Sequence, residues 1–137
     1  MIPLDTDACH ACQDLMIRSY RLVDEGHAGR VTELFTDDGR FAVGDSIEVS
    51  GKESLASFFA AREAEKERKT RHCLTNLSFS PISADEAAVR ATLLLFVLNG
   101  SHPTTPSALA DVEDRCRWEG GGWRIAERTT TLVAGGA

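Results

Sequence analysis

Apolar residues recur at helical spacing over residues 8–25: Ala8, Ala11 and Cys12, then Leu15, Ile17, Leu22 and Val23. This pattern predicts a first helix, with Gly26 placed to stop it. A second, short helix fits 28–35, with Val31, Leu34 and Phe35 as its stripe. Asp37-Asp38-Gly39 reads as a turn, and Phe41-Ala42-Val43 as a short strand that pairs with 46–49 in a hairpin. Ser50 followed by Glu53 matches a capping box and opens a helix whose stripe is Leu55, Phe58 and Phe59. The charges of 62–69 alternate in sign, which reads as a solvated helix end rather than a binding patch.

From residue 70 the period changes to that of strands. The stretch 70–80 alternates in part, with Cys73, Leu77 and Phe79, and Pro81 closes it. Residues 85–98 form a long strand with Val89, Ala91, Leu93, Leu95 and Val97 on one face. Arg90, Thr92, Leu94, Phe96 and Leu98 share the other, and the distal end is apolar on both. A loop over 99–108 contains His102, expected in solvent. Strands over about 109–118 and 123–133 follow, separated by Glu119-Gly120-Gly121-Gly122. Helices first and antiparallel strands afterwards make the class α+β. Helices on one face of a curved sheet leave an apolar hollow between the layers, the expected ligand site in so small a protein.

The 137 residues fit one domain over 1–137, long enough for a core without metal or disulfide staples. A net charge of −6 gives no pull toward nucleic acid or an anionic membrane. No apolar run approaches the length of a membrane span, and residues 1–10 lack the basic start and apolar stretch of an export signal. A cytoplasmic protein is the expectation. Cys9, Cys12, Cys73 and Cys116 are too few for a disulfide scaffold. Cys9-His10-Ala11-Cys12 has no second ligand cluster, so it reads as helix packing, and no metal or other cofactor is expected. No phosphate loop or nucleotide fingerprint is present.

Asp24-Glu25-Gly26-His27, Leu34-Phe35, Asp38-Gly39, Phe41, Gly51-Lys52-Glu53, Thr70-Arg71-His72, Thr75-Asn76 and Gly122-Trp123-Arg124-Ile125 ending in Arg128 together carry a resemblance. Over about residues 10–132 the chain resembles the SnoaL-like branch of the nuclear transport factor 2-like superfamily. The resemblance implies a cone-shaped, cystatin-like α+β barrel: a curved mixed or antiparallel sheet packed against N-terminal helices, with a deep pocket. It also implies a homodimer through the outer face of the sheet. The apolar row from Val89 to Val97 offers such a face, since both sides of that strand cannot line one pocket.

Scytalone dehydratase, a bile-acid dehydratase and a dehydrochlorinase of this superfamily use a histidine–aspartate pair. The resemblance places that pair at His72 and Asp24, with Asp24 orienting the imidazole that acts as base. Arg128, five residues after Trp123, matches an arginine of the dehydrochlorinase and would hold a developing anion. Its other reading is a strand-surface arginine paired with Glu127 or Asp114. The resemblance also implies a tyrosine or lysine five residues before Asp24; that position is Ser19, and Tyr20 is its neighbour, ~100° further round a helix. Tyr20, Phe41, Phe58, Phe59, Phe96 and Leu98 are the candidates for substrate contact. Arg71 and Arg115 are expected to face outward. The implied function is a cofactor-independent lyase or isomerase on a small apolar molecule, aromatic or polyketide-like. A non-catalytic binding protein of the same fold and the small subunit of a ring-hydroxylating dioxygenase are the alternatives.

Overall fold

Helix α1 covers Thr6–Asp24 in the computed structural model, which describes residues 6–98, 100 and 103–135. Ala8, Cys12, Leu15, Met16, Ser19 and Tyr20 form its buried face, and Ile17 lies exposed on the other side. The helix stops at Gly26, whose φ is 89°. The His27 N–H donates to Leu22 O at 2.7 Å and the Gly26 N–H to Val23 O at 3.3 Å, the paired bonds of a Schellman cap. A 3-10 helix over Ala28–Leu34 follows, burying Ala28, Val31 and Leu34, and Phe35 already belongs to the next strand.

That strand, β1 (Phe35–Val43), begins earlier than the apolar pattern predicts. Asp37-Asp38-Gly39 is a bulge within it rather than a turn that precedes it. Phe35 pairs with Ile125 and Arg40 with Glu127, so five steps along β1 match two along the neighbouring strand. Gly39 suits the bulge because a Cβ there would lie 3.0 Å from Phe35 Cδ2 and from Thr36 O. β1 forms the expected hairpin with β2 (Ile47–Ser50), in register Arg40 with Ser50 and Val43 with Ile47.

The capping box does not form. Ser50 is the last residue of β2, the N-cap of α2 (Lys52–Ala64) is Gly51, and no side chain caps the helix. α2 buries Leu55 and Phe59 and ends before most of the charged run. Arg62 turns inward rather than into solvent, as described below.

The strands β3 (Lys69–Pro81), β4 (Glu86–Leu98), β5 (Ala108–Glu119) and β6 (Gly122–Gly135) form an antiparallel meander. β1 joins β6 in parallel, giving one mixed sheet in the order β2-β1-β6-β5-β4-β3. The fold is α+β, with N-terminal helices packed on a curved mixed sheet. Ala87, Val89, Ala91 and Leu93 of β4 and Ala110, Val112 and Cys116 of β5 bury their side chains in the core with Met16, Tyr20, Leu55 and Phe59 from the helices.

This reverses the expected parity of β4. The row from Val89 to Leu93 faces the helices, so it is not the outer face. His72 pairs with Leu95 and Thr70 with Val97, which puts these on the inner side too. Phe96 pairs with exposed Arg71, and Leu98 with exposed Lys69. Phe96 and Leu98 therefore lie on the outer side of the sheet and line neither cavity near His72. Within β3, Asn76 adopts φ 57° and the register shifts between Thr75 and Ser78. The bulge brings Leu77 and Phe79 to the inner side, while Cys73, before it, is exposed.

Replacing Gly39 by alanine forces a methyl group against backbone as well as side chain, and overpacking of this kind typically costs about 1–3 kcal/mol. The Gly39→Ala variant is expected to unfold at a lower urea midpoint with an unchanged m-value; an unchanged midpoint would show that the bulge relaxes freely.

Candidate active site

The Schellman cap sets Asp24 at the C-terminal end of α1, facing the start of β3. Its carboxylate takes three hydrogen bonds from that strand. The Thr70 hydroxyl donates to Oδ1 at 2.8 Å, the His72 backbone N–H to Oδ2 at 2.8 Å, and His72 Nδ1 lies 2.6 Å from Oδ1. A carboxylate only accepts, so Nδ1 carries the proton, and Nε2 is the ring nitrogen left to act as a base whenever the ring is neutral. Both side chains are largely buried, with 9% of Asp24 and 13% of His72 exposed. The Tyr20 ring lies against His72, centroids 4.8 Å apart and 31° between planes, and fixes the other face of the imidazole.

Arg128 enters from β6 and Asp114 from β5, directly opposite each other in the sheet. Nε and Nη2 of Arg128 reach the two carboxylate oxygens at 2.7 and 2.8 Å, and Nη2 also donates to Ser19 Oγ at 2.8 Å. The pair is 2% and 0% exposed. The guanidinium carbon sits 4.6 Å from the Tyr20 ring centroid. Burial opposes the Arg128 charge, and Asp114 more than restores it, so its pKa lies above the ordinary value. Burial likewise pushes the Tyr20 hydroxyl up and keeps it protonated, against the pull of Arg128.

Two cavities meet at Tyr20 and His72. The inner one, about 200 Å³, lies between the helices and the sheet; Phe41, Phe58, Phe59, Thr70 and Arg128 are among its walls. The outer one, about 540 Å³, is a groove between α1 and the β3 edge, lined by Ile17, Arg21, Arg71, Leu74 and Leu77 among others. The stacked Tyr20 and His72 rings belong to both walls and stand between the two spaces.

Of the residues singled out from sequence, Asp24, His72, Tyr20, Arg128, Phe41, Phe58 and Phe59 gather here. Tyr20 faces the cavity although it is one residue off the position that the resemblance implies, and Ser19 serves Arg128 instead. Phe96 and Leu98 do not reach the site. Arg71 is exposed and donates to Asp24 O at 3.4 Å, and Arg115 is exposed. His102 lies outside the described residues. Cys12 is buried against Cys116 in the core and Cys9 is half-buried, as helix packing requires. Among the described residues no group of three or more His, Cys, Asp or Glu side chains is placed to hold a metal ion. Among the described residues no helix is long and apolar enough to cross a membrane.

Sequence reading missed Thr70, Arg62 and Arg68. Arg62 stands three and four residues after Phe59 and Phe58, on the same helical face as the apolar stripe, and that spacing was the available signal. Asp114 had a signal too, as the one acid in the buried alternation Ala108, Ala110, Val112, Asp114, Cys116. A charge at a core position requires a buried partner.

The model of the SnoaL-like domain family matches residues 5–129. The chain belongs to this SnoaL-like family. No curated protein matches it at a significant level. Among solved structures, a nuclear transport factor 2-like protein with a cystatin-like fold from Novosphingobium aromaticivorans is 22% identical with a TM-score of 0.79, over 100% of this chain and 94% of that one. A cystatin-like protein of unknown function from Nostoc punctiforme is 22% identical with a TM-score of 0.81, over 96% and 95%. A Novosphingobium aromaticivorans protein provisionally named a scytalone dehydratase is 17% identical with a TM-score of 0.80, over 93% and 85%. At these identities the likeness speaks for the fold.

In this SnoaL-like chain the Asp24 carboxyl is held below the ordinary range. Burial pushes it up, but hydrogen bonds from the His72 ring and N–H, the His72 charge and the Thr70 hydroxyl together outweigh it. A carboxyl lowered in the folded state stabilises the fold above its unfolded value of about 3.9 and loses that contribution as pH falls through the folded value. The parent is therefore expected to lose more stability between about pH 5 and about pH 2 than Asp24→Asn does, read as urea midpoints at both ends. Parallel losses would show that Asp24 is not held low.

Proposed function

We propose that the protein is a cofactor-independent lyase or isomerase acting on a small, mainly apolar molecule in the inner cavity, with His72 as the base. The observation that carries this reading is the 2.6 Å contact between His72 Nδ1 and Asp24, inside the wall of a cavity lined by aromatic rings. A proton on carbon next to a carbonyl passes to Nε2, and the imidazolium that forms is balanced by Asp24. In elimination, the electron pair of the broken C–H bond forms the double bond, and the leaving group departs with the proton that His72 returns. In isomerisation, the same proton goes back to a different carbon. Arg128 contributes less than its position alone implies, because Asp114 already balances its charge.

Proton abstraction can be observed before any natural substrate is known. Small aromatic ketones and acids with a proton next to the carbonyl are incubated with the protein in D2O and followed by proton NMR. The parent is expected to accelerate deuterium exchange into compounds that bind. His72→Ala should abolish exchange and keep binding, because the base acts in the transition state. Asp24→Asn should keep the fold and slow exchange at least ~10²-fold. Exchange in His72→Ala within about 3-fold of the parent would remove His72 as the base. Binding without exchange in the parent would favour a binding protein.

We further infer a homodimer through the outer side of the sheet. Leu94, Phe96, Leu98 and Leu109 are only half-buried there, whereas the neighbouring Arg90, Asp111, Glu113 and Arg115 are exposed. A second copy is the natural cover for such a patch. Light scattering should return about twice 14.9 kDa at micromolar concentration. A single species near the chain mass would overturn the dimer, and Phe96→Glu should shift the parent toward it.

A further inference from the structure

We propose that the ligand of the inner cavity is a monocarboxylate, a small apolar acid whose carboxylate is recognised by Arg62, with Arg68 at the same rim. The inference rests on the inner cavity being the ligand site, as proposed above, and not on turnover there.

The cavity wall carries Arg62, Arg68 and Arg128, and among the described residues no aspartate or glutamate lines it. Arg128 is balanced by Asp114. Arg62 has no such direct ion pair among the described residues. Its Nη2 donates to Arg68 O at 3.1 Å and to Thr70 Oγ1 at 3.2 Å, both neutral acceptors. Among the described residues neither Arg62 nor Arg68 forms an ion pair; Asp24 stands one hydroxyl away across Thr70, and Glu63 and Glu65 lie with both arginines around a separate small cavity behind the wall. Arg62 is half-buried beside Phe58, with part of its hydration already removed. A cation so placed gains from an anion that arrives with the ligand, and the planar fork of a guanidinium matches the two oxygens of a carboxylate.

The size of the cavity sets the rest of the molecule. Its 200 Å³ compares with about 150 Å³ for an apolar cavity that takes up benzene, so it holds one ring with a short chain. Phe41, Phe58 and Phe59 supply ring faces and edges to pack against it, with centroids 5.2–5.4 Å apart. Arg62 is also joined to the dyad. Its Nη2 bonds the Thr70 hydroxyl, which bonds Asp24, which holds His72. A carboxylate on Arg62 therefore docks at the head of the hydrogen-bond chain that orients the base, and a ligand fixed there presents its body to His72. Arg62 acts here as a specificity-determining residue and, through Thr70, as a positioning residue.

Phenylacetate and its neutral isostere phenylacetamide are the probes. They are titrated into the isotopically labelled full chain at pH 7 and followed by NMR. The parent is expected to bind phenylacetate at least ~10-fold more tightly than the amide, a difference of about 1.4 kcal/mol. The Arg62 Nε–H resonance should shift with the acid and not with the amide, a readout that needs no variant. Arg62→Gln should abolish the preference while leaving the amide unaffected, Arg62→Lys should keep part of it, and Arg68→Gln should lower it. Equal affinity for the two probes, failure of phenylacetate to bind at millimolar concentration, or a preference that survives in folded Arg62→Gln would each overturn the proposal. His72→Ala should retain the full preference, so loss of proton exchange with the preference intact sinks the catalytic reading alone.

Discussion

The carboxylate of Asp24 receives the side chain of Thr70 and both the backbone and the ring of His72. One side chain thereby fixes the end of α1 against the start of β3, the tautomer of His72 and, through the Thr70 hydroxyl, the place of Arg62. Its own position depends on backbone rather than side-chain chemistry. The Schellman cap at Gly26 ends the helix two residues after Asp24 and turns the chain away there. The partners of the carboxylate are arranged so that the charge costs little to hold inside, with three donors on two oxygens.

Arg128 and Asp114 form the second fixed point, with a different logic. They sit opposite each other in neighbouring strands at positions that belong to the core by parity, and both are excluded from water. Their attraction offsets a desolvation penalty of several kcal/mol per ion, so the pair adds little net stability but is costly to separate. What it supplies is position. It seats Tyr20 through the guanidinium face, and Tyr20 in turn seats His72. The two fixed points, about one helical turn apart along α1, hold the imidazole between Asp24 and the Tyr20 ring.

The first helix and the long strands were legible because each keeps one period over many residues, and the hairpin because turn residues separate its two short apolar runs. The pair Asp24–His72 was legible only by resemblance, since residues 48 positions apart carry no local sign of contact. Local signals failed where tertiary contacts competed with them. The capping box at Ser50 lost to strand pairing with Arg40. The turn at Asp37-Asp38-Gly39 was absorbed as a bulge because β6 offers parallel pairing on both sides of it. The faces of β4 could not be told apart by composition, since its distal half is apolar on both. Register with β3 decides them, and that register is set by Thr70 and His72. Arg62 was hidden in a run of alternating charge whose pattern says solvent, although its spacing from Phe58 and Phe59 says otherwise.

The left-handed Asn76 has a meaning beyond the placement of Leu77 and Phe79. β3 lies at the open edge of the sheet, where a regular row of unpaired N–H and C=O groups invites a strand from another molecule. A bulge midway along such a strand divides the row into two pieces with different faces, so a neighbouring strand cannot pair along its whole length in one register. The proximal piece is the one that carries Thr70 and His72. The irregularity that restores the inner face of the sheet thus also limits strand-by-strand self-association along this edge to short stretches.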